Sequence, residues 1–263
     1  MGKASKVIFF DVDGTLFRHD CRVPASTVEA INKCAENGHY IFLCTGRGAS
    51  TIPKEVRDLP LHGEICSCGT YVSLYDQVIV NRGVEGADCD KILKILHDLK
   101  CPSFVENPDY FYYDPDYLPE GFHKVIDTMH ANYPGKFRPI DMLPARINKM
   151  TGYPEDKALI PQIIEALSPW FDVIVHEEYS YIEITVRGFT KGTGVHAVLD
   201  ALDIHRSNAY GFGDSANDIP MLDEVGYGIV MGDAPQALKD KYIETDSLYA
   251  DGIANALKRF GLI

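Results

Sequence analysis

Within its first 47 residues the chain runs through a strand, a helix and a second strand, and that order constrains the fold more than any other feature. "KVIFF" (6–10) is short, apolar and rich in β-branched and aromatic residues, the pattern of a strand buried on both faces. "VPASTVEAINKCAENG" reads as a helix, with Val28, Ile31 and Ala35 on one face and Gly38 as its C-terminal stop. "YIFLC" (40–44) is a second strand. Strand, helix, strand is a βαβ unit, which requires a parallel sheet. Ligands of such sheets bind beyond the carboxyl ends of the strands. "DVDGT" (11–15) and "TGR" (45–47) both fall there.

The last quarter repeats the scheme. "TGVHAVLDALDI" is a helix with Val195, Val198, Leu199 and Leu202 on one side, and "NAYGFG" is a strand that runs into "DSAND". "IPMLDEVG" is a short helix and "YGIVM" another strand, ending in "GDAP". The middle differs. It reads as a helix (90–99), extended pieces "PSFVE" and "YFYYD", a helix (122–131), an extended "ARINKM", a helix (155–167), and the strands "FDVIV" and "YIEITV". In the last of these Ile182, Ile184 and Val186 alternate with Tyr181, Glu183 and Thr185, the period of a half-exposed antiparallel strand. The fold class is therefore α/β: a doubly wound, Rossmann-like parallel sheet formed by 1–82 and 188–263, interrupted by an inserted α+β domain at 83–187. The joints fall near 81–86 and 187–190, where Gly83, Gly86 and Gly188 give compliance.

Two carboxylates directly after a buried strand need an explanation. If Asp11 and Asp13 meet Asp214 and Asp218 at one sheet edge, each pair at about 4 Å repels by ~4 kcal/mol at an effective dielectric near 20. A hard divalent cation removes that cost, and an all-oxygen ligand set points to Mg²⁺ rather than zinc. The cation also reverses the local field, so an anionic phosphate fits an acidic protein. Backbone N–H groups of "DVDGT", helped by Gly14, form an anion cradle; Thr45 adds a hydroxyl and Lys191 a positive charge beside a helix N-terminus. Each piece alone has an ordinary reading as a turn, a cap or a solvated lysine. Four of them, in order and each at a strand end or helix start, compose a phosphoryl-transfer site.

Composition narrows the partners. A formal net charge of −13 and a pI near 5.1 argue against duplex nucleic acid and against an anionic membrane surface. No apolar run reaches the length of a membrane span. The seven cysteines (Cys21, Cys34, Cys44, Cys66, Cys68, Cys89 and Cys101) are odd in number and follow no signal peptide, which reads as reduced thiols in the cytoplasm. Cys66, Cys68 and His62 lack a fourth ligand for a zinc site.

These motifs resemble, almost end to end, the haloacid dehalogenase-like phosphatases, and more narrowly the Cof-type sugar-phosphate phosphatases with a large mid-chain cap of type C2. "DVDGT" is similar to the first motif, Thr45 with "TGR" to the second, Lys191 with "KG" to the third and "GDSAND" to the fourth. The insertion has the position and length of the C2 cap, and "MGDAP…DGIANAL" is similar to the family's C-terminal pattern. The chain departs from that pattern at Cys68, where asparagine is usual before the glycine, and at Asp233, also usually asparagine.

The resemblance implies a Mg²⁺-dependent hydrolysis of small phosphomonoesters, sugar phosphates foremost, through an aspartyl-phosphate. Asp11 would be the nucleophile, and Asp13 the acid for the leaving oxygen and then the base for water. Asp11, the Asp13 carbonyl and Asp214 would hold the metal, with Asp218 behind them. Thr45, Lys191, Asn217 and the N–H groups of Val12 and Gly14 would hold the phosphate. Gly46 would touch the substrate and Arg47 the substrate or the cap, with a structural ion pair as the equal alternative for Arg47. Rival readings are a phosphomutase or phosphotransferase, a phosphatase of a flat cofactor phosphate such as pyridoxal phosphate or flavin mononucleotide, and, more distantly, a non-catalytic phosphometabolite sensor. The aromatics Phe104, Tyr110, Phe111, Tyr112, Tyr113 and Tyr117 read mostly as the core of the small domain. No coiled coil appears, so a monomer is the default.

Overall fold

The computed structural model describes residues 5–17, 22–75, 77–144, 146–176 and 180–263, and its chain divides into two units. The first comprises Met1–Arg47, Ile52–Val80 and Phe189–Ile263; the second comprises Gly48–Thr51 and Asn81–Gly188. Cys21 lies outside the described residues.

The first unit is built on an eight-stranded sheet in the order Ile243–Glu244, Tyr227–Val230, Ala209–Gly213, Val7–Phe10, Tyr40–Cys44, Gly63–Cys66, Tyr71–Leu74 and Gln77–Asn81. Pairing is parallel from the first of these through Gly63–Cys66, which meets Tyr71–Leu74 antiparallel. Val7–Phe10 lies between two parallel neighbours and is wholly buried, which accounts for its unbroken apolar sequence. One side of this sheet is closed by Val195, Val198 and Leu199 of the helix Lys191–Leu202 and by Met221 and Leu222 of the helix Ile219–Glu224.

The helix Ala25–Glu36 stops where expected, with Gly38 beyond it at φ +83°. Its buried face, however, is Thr27, Ala30, Ile31 and Cys34; Val28 and Ala35 are only half-buried. Small residues at 27, 30 and 34 let the helix approach closely, whereas the sequence pattern had weighted the bulkier Val28.

The second unit holds a six-stranded sheet in the order Phe171–His176, Tyr181–Val186, Lys149–Gly152, Ser103–Glu106, Phe111–Tyr113 and Phe137–Pro139, with helices Ala87–Asp98, Glu120–Asn132 and Ile160–Leu167. All its pairings are antiparallel except the last. The aromatics do form core: Phe104 and Phe111 pack with Phe122, Ile126 and Phe137, and Tyr113 joins them. The alternation of "YIEITV" misleads in one respect. Glu183 and Thr185 are buried too, because Glu183 pairs with Lys149 Nζ at 3.0 Å and His176 Nε2 at 3.2 Å, and Thr185 donates to the Asp172 carbonyl. A charged residue tolerates burial when its partners are buried with it.

The three glycines at the joints also differ. Gly86 and Gly188 take left-handed backbone (φ +64° and +82°) in open space. At Gly83 a Cβ would lie 2.4 Å from the Ile147 carbonyl, so that glycine serves close approach rather than compliance. Each of the cysteines Cys34, Cys44, Cys66, Cys68, Cys89 and Cys101 is a buried thiol outside any disulfide.

Candidate active site

The parallel register brings the motif residues to one edge. Phe10 lies opposite Leu43 on one side and Phe212 on the other, so Asp11, Thr45 and Asp214 follow at nearly the same level. Asp11 is tied there by its N–H to the Phe212 carbonyl at 2.9 Å, and Thr45 by its N–H to the Ile65 carbonyl at 2.8 Å. Both side chains are buried.

Lys191 enters from the first turn of its own helix. Thr190 caps that helix by accepting from the Thr193 N–H, and Thr193 returns a bond to the cap residue. This places a lysine that is 1 % exposed with its Nζ 2.6 Å from Asp11 Oδ1, 2.6 Å from Asp218 Oδ1 and 3.2 Å from Asn217 Oδ1. Burial alone would lower the pKa of the Lys191 ammonium, but the charges of Asp11 and Asp218 overcome that and hold it well above its ordinary value.

Asp218 is completely buried, and both its oxygens are engaged. Oδ1 accepts from Lys191, while Oδ2 accepts from the N–H groups of Asp214 at 2.9 Å and Ser215 at 3.0 Å. It therefore fixes both the lysine and the loop that carries Asp214. Ser215, which the sequence reading did not single out, completes a capping box with Asp218 and donates to Asn217 Oδ1 at 2.9 Å. The S-x-x-D spacing in "SAND" carries that signal.

Among the described residues, Asp11, Asp214 and Asp218 form one group in which one carboxylate oxygen from each lies within 4.8 Å of the other two. At that separation each pair repels by ~3.5 kcal/mol at an effective dielectric of 20. Burial first, and then the charge of Asp218, push the Asp11 carboxyl well above its usual range against the pull of Lys191. A further cation acts in the opposite direction. An all-carboxylate donor set with this unbalanced charge fits a hard divalent ion such as Mg²⁺.

Two expectations change here. The carboxylate of Asp13 does not join the group. The chain leaves the strand after Asp11 and turns, with the Leu16 and Phe17 N–H groups both donating to the Val12 carbonyl. The Asp13 side chain is met instead by Arg47, whose Nε and terminal nitrogen each lie 2.6 Å from one carboxylate oxygen. Arg47 is thus ion-paired with Asp13 in the structure. The N–H of Gly14 is likewise engaged, donating to the Phe17 carbonyl at 2.9 Å. Gly14 is required for space: at φ +80°, a Cβ there would lie 2.2 Å from Asp214 Oδ2.

Cys68 stands at φ +53° between Ser67 (+47°) and Gly69 (+92°). Asparagine, the residue common at this place in the resembled family, adopts left-handed backbone more readily than cysteine. A Cβ at Gly69 would lie 2.2 Å from the Thr190 carbonyl, so this buried turn packs directly against the cap of the Lys191 helix. No helix among the described residues is long and apolar enough to cross a membrane.

Comparison with known proteins agrees with the geometry. The chain is 28% identical over 263 residues to "Putative phosphatase YkrA" of Bacillus subtilis, covering 98% of this chain and 99% of that one. It is 24% identical to the 5-amino-6-(5-phospho-D-ribitylamino)uracil phosphatase YitU of Bacillus subtilis, covering 97% of each. In structure it is similar to the sugar phosphatase BT4131, of subclass IIB of the haloacid dehalogenase superfamily. That match has a TM-score of 0.81 at 24% identity and covers 98% of this chain and 100% of that chain. The family model for haloacid dehalogenase-like hydrolases matches residues 8–257, nearly the whole length and all four motifs, and the chain belongs to that family.

Proposed function

We propose that this hydrolase is a Mg²⁺-dependent phosphatase of small phosphomonoesters, sugar phosphates foremost, that works through a phosphorylated Asp11. The observation that carries the reading is the buried set of Asp11, Lys191 and Asp218 with Asp214 beside it, at the carboxyl edge of a parallel sheet.

In this reading an Asp11 oxygen attacks phosphorus in line as the bond to the leaving oxygen breaks. Asp13 gives its proton to that oxygen, then takes one from the water that cleaves the aspartyl-phosphate. Thr45, Lys191, Asn217 and the Val12 N–H hold the phosphoryl oxygens. Asp11, Asp214 and the Asp13 carbonyl would hold Mg²⁺, with Asp218 supporting them; when bound, the ion neutralises charge on the carboxylates and the phosphoryl group. Residues 83–187 act as a C2-type cap that selects the leaving group. BT4131 is described as a sugar phosphatase, which favours sugar phosphates. YitU is named for a ribityl phosphate carried on a pyrimidine, which makes a flat-ring phosphate the second reading.

The test is phosphate release from hexose phosphates, pentose phosphates, glycerol phosphate, pyridoxal phosphate, flavin mononucleotide and an aryl phosphate, each with Mg²⁺ and with chelator. Chelator-sensitive release, fastest from sugar phosphates, is expected. Fastest release from the flat-ring substrates supports the second reading, and no release from any substrate overturns the phosphatase assignment.

A further inference from the structure

We propose that Arg47 is a positioning residue for Asp13, working through that carboxylate rather than on the substrate, and that the ring of Phe17 completes the clamp. The inference rests on the phosphatase reading, in which Asp13 transfers the proton.

The geometry is a fork. Arg47 Nε meets Asp13 Oδ2 and its terminal nitrogen meets Oδ1, both at 2.6 Å, so one planar cation fixes both the direction and the rotation of the carboxylate. The Arg47 guanidinium carbon lies 5.4 Å from the centroid of the Phe17 ring, within cation–π range. Phe17 belongs to the same tight turn as Asp13, closed by the bond from the Gly14 N–H to the Phe17 carbonyl. The main chain of Arg47 is held as well: its N–H donates to Thr45 Oγ1 at 3.1 Å and its carbonyl accepts from the Ser67 N–H at 2.8 Å. The clamp therefore has one end on the phosphate-side threonine and the other on the acid.

Folding does not account for this construction. The Asp13 side chain is 57 % exposed and that of Arg47 23 %, and an ion pair so open to water adds little stability. It does restrict an otherwise mobile carboxylate to one orientation, and orientation is what proton transfer in a transition state requires.

An alkoxide leaves poorly unless protonated, whereas p-nitrophenolate leaves without a proton. The experiment measures kcat/KM, which reports the steps up to leaving-group departure, for glycerol phosphate and for p-nitrophenyl phosphate. Arg47→Ala, Arg47→Lys, Phe17→Leu, Asp13→Asn and the double variant Asp13→Asn/Arg47→Ala are each compared with wild type. Arg47→Ala is expected to lower kcat/KM for the alkyl ester by about 10²-fold and to change the aryl ester by less than about threefold. Phe17→Leu is expected to lower the alkyl ester alone, by about threefold. Arg47→Lys, which keeps the charge but loses the fork, is expected to fall between wild type and Arg47→Ala; it carries the same comparison if the alanine variant does not fold. The double variant is expected to match Asp13→Asn alone within about twofold, because the arginine has nothing left to position. Equal losses on both esters, or a double variant whose loss is the product of the two single losses, overturns the inference and assigns Arg47 to the substrate. A wild-type protein that cleaves neither ester overturns the phosphatase reading beneath it, and that result appears before any variant is compared.

Discussion

Lys191 Nζ and Asp11 Oδ1 lie 2.6 Å apart across 180 residues of sequence, with neither side chain more than 5 % exposed. Among the described residues, Lys191 is the counter-charge paired with both Asp11 and Asp218. Lys191→Met leaves two buried carboxylates facing one another. It is expected to lower stability by about 3–5 kcal/mol, read as a shift of the urea midpoint, and to abolish turnover.

In the proposed mechanism Asp11→Asn removes the charge of the attacking oxygen while keeping the side chain's shape and its bond to Lys191. No phosphorylated intermediate forms, so turnover is expected to fall below about 10⁻⁴ of wild type with the circular dichroism spectrum unchanged. Turnover near the wild-type rate places the nucleophile elsewhere.

In the proposed function Mg²⁺ would relieve the repulsion within the carboxylate group and would bind the folded protein in preference to the unfolded chain. At a concentration 100 times its Kd it adds about 2.7 kcal/mol, read as a rise in the thermal midpoint. Asp214→Asn is expected to remove most of that rise, while Asp251→Asn, far from the site in sequence and outside the group, leaves it intact.

Gly14 and Gly38 have nearly the same backbone, φ +80° and +83°, and opposite surroundings. Gly38→Ala has only the left-handed conformation to accommodate, about 1–2 kcal/mol, and is expected to retain full activity. Gly14→Ala adds a collision with the Asp214 carboxylate, 2.2 Å from the new atom, and is expected to lose both activity and Mg²⁺ stabilisation.

Glu183 gives the second unit an acid-sensitive element. Burial opposes its ionisation, yet Lys149 and His176 hold its carboxyl well below the ordinary range. An acid depressed in the folded state contributes stability that is present above its unfolded pKa of about 4.3 and is lost as pH falls below it. The urea midpoint of this unit is expected to drop between pH 6 and pH 3.5, and to drop less in Glu183→Gln. That variant starts lower at pH 6, because Lys149 then faces a neutral amide. Equal slopes in the two proteins assign the acid sensitivity to other carboxylates.

What the sequence made legible was whatever repeats or sits at an element boundary. Val7–Phe10, Tyr40–Cys44 and Ala209–Gly213 are visible as apolar runs, and polar clusters at their ends locate Asp11, Thr45 and Asp214 on one edge. Side-chain pairing between distant segments leaves no such trace. The fork from Arg47 to Asp13 spans 34 residues and depends on a turn whose direction is set by Gly14. Hydrophobic period failed for the same reason at Glu183: its partners, Lys149 and His176, come from two other strands, and a residue's own neighbours in sequence do not record them. The buried face of Ala25–Glu36 was misjudged by bulk, since small Ala30 and Cys34 pack where Val28 does not.

The buried thiols give the molecule an internal clock. Burial pushes Cys34 and Cys101 up to about 12 and raises Cys44, Cys66 and Cys89 as well, so at neutral pH almost none of the reactive thiolate exists while the surroundings stay closed. Alkylation at these positions then proceeds only as fast as the protein opens around each sulfur. Cys34, Cys44 and Cys66 belong to the first unit and Cys89 and Cys101 to the second. A timed alkylation resolved peptide by peptide therefore reports how readily each of the two units opens, separately and in one unlabelled sample.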